Sequence, residues 1–206
     1  MSSYWRTVIC TGLLLGLVAC SGIPIRSMAR LAKLPDQLLH ASPAEIMFAV
    51  QVDNRLLPAV SGTPTFSIDI QPAVAGAFEA VQRKLPMQLN VTAAPAMGLE
   101  PAGPGRRWML YRFTPASQVE LQRIQAQFLR LQAERRSGTG GSLAVGIAQD
   151  GVVASDAALD NTRWESWLQT SAQEGFYMLW SGSLGELKAQ ERAARNATAT
   201  QKTGDE

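Results

Sequence analysis

The sequence predicts a mainly β protein with one long helix, an α+β fold in which an antiparallel β-sandwich carries a helical insertion between strands. Three observations lead to this prediction. Apolar and polar residues alternate with period two in several short runs, which is typical of strands with one buried face. Breaks rich in Pro and Gly separate these runs. One segment instead repeats its apolar residues at helical spacing.

Five runs carry the strand signal, each with its apolar residues on one face. Turn-rich breaks fall at 61–64 and 94–105, and Asp150-Gly151 is typical of a tight hairpin turn. With a later hairpin added, we expect a sandwich of about seven or eight strands. The apolar faces are Ile46, Phe48, Val50 and Val52; Phe66, Ile68 and Ile70; Met87, Leu89 and Val91; Met109, Tyr111 and Phe113; and Leu143, Val145 and Ile147.

The predicted helix lies near 115–136. Leu121, Ile124, Phe128 and Leu131 form an apolar stripe, which we interpret as core packing against the sheet. Thr114 and Pro115 suit a cap followed by proline at the first helical position, and 117–120 fits a capping box. Arg135 and Arg136 favour the helix end, and the glycines of 138–141 stop it.

The segment 163–168 allows two interpretations. Trp164, Trp167 and Leu168 suit a helix, but a strand that leads through 173–175 into 176–180 fits equally well. We favour the hairpin.

The amino-terminal segment is typical of a targeting signal. Met1 to Arg6 form a short positive region, and an apolar run follows to Ala19 that is too short to span a bilayer. The run ends in Leu17-Val18-Ala19-Cys20, which resembles the cleavage box of bacterial lipoprotein signals. This resemblance implies cleavage before Cys20 and attachment of lipid to its sulfur and to the new amino terminus. Ser21 resembles residues that permit sorting to the outer membrane.

Processing at this box would decide the redox chemistry and the charge of the mature protein. Cys10 would leave with residues 1–19 and Cys20 would carry lipid, so we expect no intramolecular disulfide. The chain has 19 Lys and Arg against 17 Asp and Glu, and cleavage removes only Arg6 from these. The mature chain is then nearly neutral, which gives no case for a nucleic-acid partner.

The mature chain divides into three predicted regions. Residues 20–40 form a lipidated tether in which Arg26, Arg30 and Lys33 alternate with apolar residues. This basic amphipathic stretch either lies on anionic headgroups or is simply solvated. Residues 41–187 are long enough for one core without disulfides, and 188–206 form a polar, disordered tail.

Residue types that carry catalysis are sparse. His40 is the lone histidine, no cysteine stays free, and no Gly-x-Ser-x-Gly sequence occurs. Asp150, Asp156, Asp160 and Glu165 lie close in sequence, but nothing in the pattern fixes them on one face. We therefore expect no enzyme, no catalytic residue, no cofactor and no metal site, with a hydrolase using two carboxylates as the least favoured alternative.

Aromatic residues provide the remaining candidates for a site. They concentrate in the later half of the chain, and tryptophan is enriched both in cores and at interfaces and clefts. The candidates for a ligand or partner surface are Trp108, Trp164, Trp167, Tyr177 and Trp180.

Several segments together resemble a family of uncharacterised proteobacterial lipoproteins. They are Cys20-Ser21-Gly22-Ile23-Pro24 with Ser27 and Met28, 44–52, 113–116, 141–147 and 176–179. The resemblance implies a lipid anchor and a small periplasmic domain, and it implies no activity.

These observations lead to two main expectations about function. The first is a non-enzymatic envelope lipoprotein, anchored in the membrane at Cys20 and facing the periplasm, that docks an envelope protein as an interaction or assembly module. The alternative is a carrier or sensor of an apolar ligand such as a lipid, with the late aromatics lining a cleft between helix and sheet.

Overall fold

The computed structural model describes residues 25–56, 63–72, 74–133, 141–148, 157–190 and 192–193. Seven strands in this part form one antiparallel sheet, in the order β5-β2-β3-β4-β1-β6-β7. In chain order they are β1 (Met47–Asp53), β2 (Thr65–Pro72), β3 (Val81–Asn90), β4 (Arg106–Phe113), β5 (Gly141–Ala148), β6 (Arg163–Gln169) and β7 (Tyr177–Ser183).

The third strand joins the two halves of the sheet. Its first part, 81–86, pairs with β2, and its second part, 87–90, pairs with β4. Pro86 lies at the change of partner, where its missing N–H costs no regular ladder bond. The result is a curled half-barrel sheet, so the mainly β class is confirmed and the predicted sandwich is wrong. Period-two alternation indicates that one face of a strand is buried. It does not show whether a second sheet or helices bury that face.

Helices supply that cover. They are α1 (Ile25–His40) and α2 (Pro115–Ala133), with 3-10 turns at Ala94–Met97 and Ala157–Leu159 and helical residues at 184–190. The predicted helix near 115–136 is present as α2. The expectation of one long helix is wrong because α1 is nearly as long. Arg135, Arg136, Gly138 and Gly140 lie outside the described residues, and Gly141 begins β5.

The start of α2 matches its predicted cap in part. Thr114 Oγ1 accepts a hydrogen bond from the backbone N–H of Ser117 at 3.2 Å, and Pro115 is the first helical residue. Thr114 is therefore the N-cap. The expected capping box over 117–120 is wrong, because Glu120 pairs with Arg83 and Arg123.

Both predicted domain boundaries fall inside packed structure. Leu34 and Leu38 of α1 are buried in the main core, so 25–40 belongs to the folded domain and is not a separate tether. At the other end, Lys188 lies in the helical residues 184–190 and its Nζ contacts Asp160 Oδ1 at 2.7 Å. The described start of the predicted tail is therefore ordered.

The main core lies between the two helices and one face of the sheet, which we call the inner face. The alternating residues of β1 and β4 point there as expected, with Phe48 and Val50 beside Tyr111 and Phe113. Leu121 and Ile124 of α2 join them, which confirms the stripe as core packing. Two expected core residues do not take part: Leu89 is 54% exposed and Val91 is 95% exposed. Val91 comes directly after the end of β3.

The opposite, outer face is covered at its centre. Met47 and Ala49 of β1 are buried there against Ala94 and Leu99, which come from the Pro- and Gly-rich segment 94–105. The sequence predicted strands with one buried face, and β1 is instead buried on both faces. The loop between β3 and β4 therefore packs over β1, the strand that pairs with β4.

The end of the chain resolves the ambiguous segment. Residues 163–168 are in β6, which pairs with β7 as a hairpin and has a register shift between Ser166 and Trp167. The favoured interpretation is confirmed. Asp150-Gly151 lies outside the described residues. Among the helices that are described, none combines the length and the apolar character needed to cross a membrane.

Candidate functional site

The described residues line a half-open apolar cavity of about 350 Å³ between the two helices and the β2–β5 half of the sheet. Its size falls within the range of small-molecule pockets, about 300–1,000 Å³. The lining consists of Pro35, Asp36, Leu38 and Leu39 of α1; Phe66, Ile68 and Ile70 of β2; Phe78; Leu121, Ile124, Gln125, Phe128 and Leu131 of α2; and Ser142, Leu143 and Val145 of β5.

The wall on α2 follows from the helical stripe. Leu121, Ile124, Phe128 and Leu131 recur every three or four residues, so they lie on one face of the helix. The first two sit deep in the core, and the last two are half-buried toward the cavity. One stripe therefore both packs the core and lines the cavity.

The opposite wall is the inner face of β2 and β5. These strands pair with Ile68 opposite Val145 and Ile70 opposite Leu143. In an antiparallel pair such residues project to the same side of the sheet. The alternation that predicted both strands therefore places a continuous apolar surface against the helices.

A hydrogen-bonded contact joins the two helices at the cavity wall. Gln125 of α2 is buried, and its Nε2 donates to the carbonyl oxygens of Leu38 at 2.6 Å and Ala41 at 2.9 Å. These carbonyls lie at the carboxyl end of α1, where carbonyls lack partners inside the helix. Gln125 therefore satisfies the end of one helix from the side of the other.

A loop residue closes one side of the cavity. Phe78 lies between β2 and β3 and packs edge-on against Phe128, with ring centroids 5.3 Å apart and planes at 89°. The loop turns back at Gly76, whose φ of +81° favours glycine. Residue 78 belongs to no periodic run, so sequence reasoning missed it.

Few polar groups face the cavity. Asp36 and Ser142 are exposed at its edge, and the Gln125 amide already bonds the end of α1. In the described lining, Asp36 supplies the one carboxylate. Such a surface has little means to hold an ion and suits a hydrocarbon chain, whose transfer from water gains about 0.8 kcal/mol per CH₂.

The five predicted aromatic residues do not line this cavity, and they do not share one surface. Trp164 and Tyr177 are buried in the main core, and Trp180 packs against that core beside Gly182. Trp108 and Trp167 pack edge to face with each other, with ring centroids 5.9 Å apart. Both are partly buried against the outer-face core, which consists of Met47, Ala49, Ala94, Leu99 and Leu110. Core packing therefore accounts for Trp164 and Tyr177, and the other three are partly buried against the two cores.

Tyr177 has the most perturbed environment of the five. Burial raises the pKa of its hydroxyl to about 12, while the charge of Arg30 acts in the opposite direction. Arg30 lies over the ring, with its Cζ 5.2 Å from the centroid, in a cation–π arrangement. Within the described chain, the hydroxyl has no hydrogen-bond partner. The contact links β7 to α1.

The carboxylates considered for hydrolysis are held by cations in the part that is described. Glu165 accepts from Arg106 at 3.0 Å and from Arg163 at 2.7 Å, and Asp160 pairs with Lys188. Asp150 and Asp156 lie outside the described residues, as does Cys20. His40 is exposed near Asp36 at the end of α1.

The described ranges contain no group of three His, Cys, Asp or Glu side chains placed to hold a metal. The apolar cavity is a feature of the described residues that can support a binding function. In comparisons with protein family models, with curated proteins and with solved structures, nothing matches this chain.

Proposed function

We propose that this protein is a lipid-anchored protein of the bacterial envelope that binds the hydrocarbon chain of a lipid in the cavity between α1, α2 and the sheet. The single observation that carries the proposal is the apolar cavity of about 350 Å³. Its walls are aliphatic and aromatic side chains, and its polar groups lie at the edge. A binding site for a chain without hydrogen-bonding groups has this composition.

The size of the cavity limits how many CH₂ groups of a ligand can be buried, and this number determines the expected affinity. Each CH₂ group that leaves water contributes about 0.8 kcal/mol, and association costs at least about 4 kcal/mol of lost translational and rotational freedom. A short alkyl group therefore binds weakly, and a chain of fatty-acid length has a net gain. The ligand class is a single acyl chain whose polar end stays in solvent at the open edge of the cavity.

The anchor gives such a site access to lipids. Lipidation of Cys20, expected from the cleavage box, would hold the domain at a bilayer surface that faces the periplasm. Three chains at about 0.8 kcal/mol per CH₂ make this attachment effectively permanent. The protein then exchanges acyl chains with that membrane and with the proteins or lipids that reach it.

The docking of an envelope protein was the first expectation from the sequence. The candidates for a ligand or partner surface were Trp108, Trp164, Trp167, Tyr177 and Trp180, and the apolar-ligand alternative expected the late aromatics to line a cleft between helix and sheet. Trp164 and Tyr177 lie in the main core, and Trp108, Trp167 and Trp180 are partly buried against the two cores, so these residues line no common cleft. We prefer lipid binding because the apolar cavity lies between the helices and the sheet.

The test compares two aromatic substitutions in the full-length lipidated protein. Val145→Phe adds a ring to the cavity wall, and Val119→Phe adds the same ring on an exposed position of α2 that is 65% accessible. Titration of a dansylated fatty acid measures the affinity, and mass spectrometry of the purified protein measures co-purified lipid. We expect Val145→Phe to weaken binding about tenfold or more, since it displaces several CH₂ contacts.

The control should bind as the wild type does. Equal affinity of Val145→Phe and wild type would place any bound chain outside the cavity. If wild-type protein neither retained lipid nor bound the dansylated acid, lipid binding would be rejected altogether.

A further inference from the structure

The first helix presents two chemically different faces. Leu31, Leu34 and Leu38 face the domain, where the last two are buried in the main core. Arg30 and Lys33 are exposed three residues apart, on one side of the helix. Leu34 and Leu38 are covered by the domain and are not free to insert into a bilayer. Any interaction of its exposed face must rest mainly on charge.

Contacts to β7 fix the orientation of this face. The Ser27 hydroxyl donates to the Met178 carbonyl, and Arg30 lies over the Tyr177 ring. Two successive turns of α1 are therefore held on the edge strand of the sheet. The exposed side chains of the helix keep a defined position on the domain.

The positive charges on this face are not neutralised by ion pairs. Within the described ranges, no carboxylate forms a salt bridge with Arg30 or Lys33. Two acidic groups lie near the second half of the helix: Asp36 is 3.6 Å from His40, and Glu174 of the loop between β6 and β7 accepts from Gln37 at 3.0 Å. The first half of α1 is therefore basic, and its second half carries the acidic Asp36.

We infer that the exposed basic face of α1, formed by Arg30 and Lys33, docks on the anionic surface of a lipid bilayer. The inference rests on the proposed lipidation of Cys20. Five residue steps separate Cys20 from Ile25, a reach of at most about 17 Å. The basic half of α1 is the half nearest to the anchor. The acyl chains would therefore hold these charges close to headgroups of opposite sign.

Docking of this face has a consequence for the cavity. Pro35, Leu38 and Leu39 of the same helix line it. With α1 on the membrane surface, the cavity lies within one helix length of the lipids. The anchor alone leaves the domain free to rotate, and the basic face selects one orientation.

Each basic residue near an anionic surface strengthens association about fivefold, and the effect falls away within a Debye length. Removal of Arg30 and Lys33 together should therefore weaken the docked state about 25-fold. Because the interaction is electrostatic, salt should weaken it as well.

The experiment uses the full-length lipidated protein in vesicles. Gln37→Cys introduces a thiol for a fluorophore one turn after Lys33 on the same side of α1, since the anchor would consume Cys20 and cleavage would remove Cys10. Vesicles of phosphatidylcholine alone are compared with vesicles that also contain phosphatidylglycerol, both with a headgroup quencher. We expect about fivefold or stronger quenching on the anionic vesicles, with loss of this difference at high salt.

Two charge variants separate a specific surface from general attraction. Arg30→Gln with Lys33→Gln should abolish the difference between the vesicles. Lys84→Gln with Arg112→Gln removes the same charge from exposed positions on β3 and β4 and should preserve it. Equal quenching of the labelled protein on both kinds of vesicle, or equal effects of the two variants, would overturn the inference.

Failure of the docking surface and failure of the proposed function give different results. If mass spectrometry shows acyl chains on Cys20 and quenching is equal on both vesicles, the inference alone is wrong. A mass without acyl chains rejects both the anchor and the docking surface. Binding of the dansylated fatty acid is measured separately and depends on the cavity.

Discussion

Gln125 Nε2 lies 2.6 Å from the carbonyl oxygen of Leu38, and this bond ties α2 to the end of α1 beside the apolar cavity. The same nitrogen donates to Ala41 at 2.9 Å. One buried amide thus provides a hydrogen-bond donor for two carbonyls at the carboxyl end of α1, where carbonyls lack partners inside the helix. Because both helices line the cavity, this contact fixes the distance between two of its walls.

Replacement of Gln125 by Leu should destabilise the protein by about 1–3 kcal/mol. The change keeps the apolar volume and removes the donor, so the buried carbonyls of Leu38 and Ala41 lose their partner. Urea denaturation monitored by circular dichroism measures the free energy of unfolding. Gln122→Leu is the matched control, since Gln122 is exposed three residues earlier on the same helix. A loss of less than about 0.5 kcal/mol in both variants would show that the bond contributes nothing measurable.

The Glu120 carboxylate predicts a dependence of stability on pH. Hydrogen bonds from Arg123, followed by those from Arg83, lower its pKa from the ordinary 4.5 to about 2. A folded-state pKa below the unfolded value stabilises the protein above about pH 4.5, and this contribution is lost as the pH falls through about 2. Since the group is partly exposed and its partners are largely so, we expect less than about 1 kcal/mol.

Glu120→Gln should therefore unfold more easily than wild type at pH 7 and equally easily near pH 2. Thermal unfolding over this pH range provides the measurement. In an Arg123→Gln background the effect of Glu120→Gln should shrink, because the main partner is already absent. A difference between Glu120→Gln and wild type that stayed constant with pH would assign the effect to something other than ionisation.

Gly182 lies against the Trp180 ring in a way that leaves no room for a side chain. A Cβ at this position would come within 2.5 Å of the ring and 2.7 Å of Glu186 Oε2. Gly182→Ala should therefore displace Trp180 and cost about 1–3 kcal/mol. Tryptophan fluorescence and urea denaturation report the two effects. Gly103→Ala, whose Cβ would meet its nearest neighbours at 3.8 Å and 4.0 Å, should change neither; a wild-type spectrum of Gly182→Ala would contradict the prediction.

Local patterns predicted the elements better than their assembly. The alternation in Phe66, Ile68 and Ile70 predicted β2, and the spacing of Leu121, Ile124 and Phe128 predicted α2, because both depend on the direction of neighbouring side chains. The curl of the sheet depends on which strands pair. Pro86 lies where β3 changes its partner strand, but a proline in the sequence does not indicate which two strands pair with β3.

The candidate site was only half predictable for the same reason. Its walls on β2, β5 and α2 consist mainly of residues that periodicity had placed on apolar faces. The remaining contributions come from α1 and from Phe78, which reach the cavity through tertiary packing. The tryptophans of the later half did not identify the site, because tryptophan is used both in buried cores and in binding clefts.

Cys20 provides the last prediction, which concerns the anchor on which the proposed function depends. Cys20→Ser removes the sulfur that would carry diacylglycerol, so the protein should move from the membrane fraction to the soluble fraction on cell fractionation. Loss of acyl chains worth tens of kcal/mol leaves the basic face of α1 as the remaining attraction, which is too weak for stable binding alone. Cys10→Ser is the matched control, because Cys10 lies within the segment that cleavage removes and should leave the protein in the membrane fraction. Retention of Cys20→Ser in the membrane fraction after a high-salt wash would show that the protein is held by something other than a lipid on this cysteine.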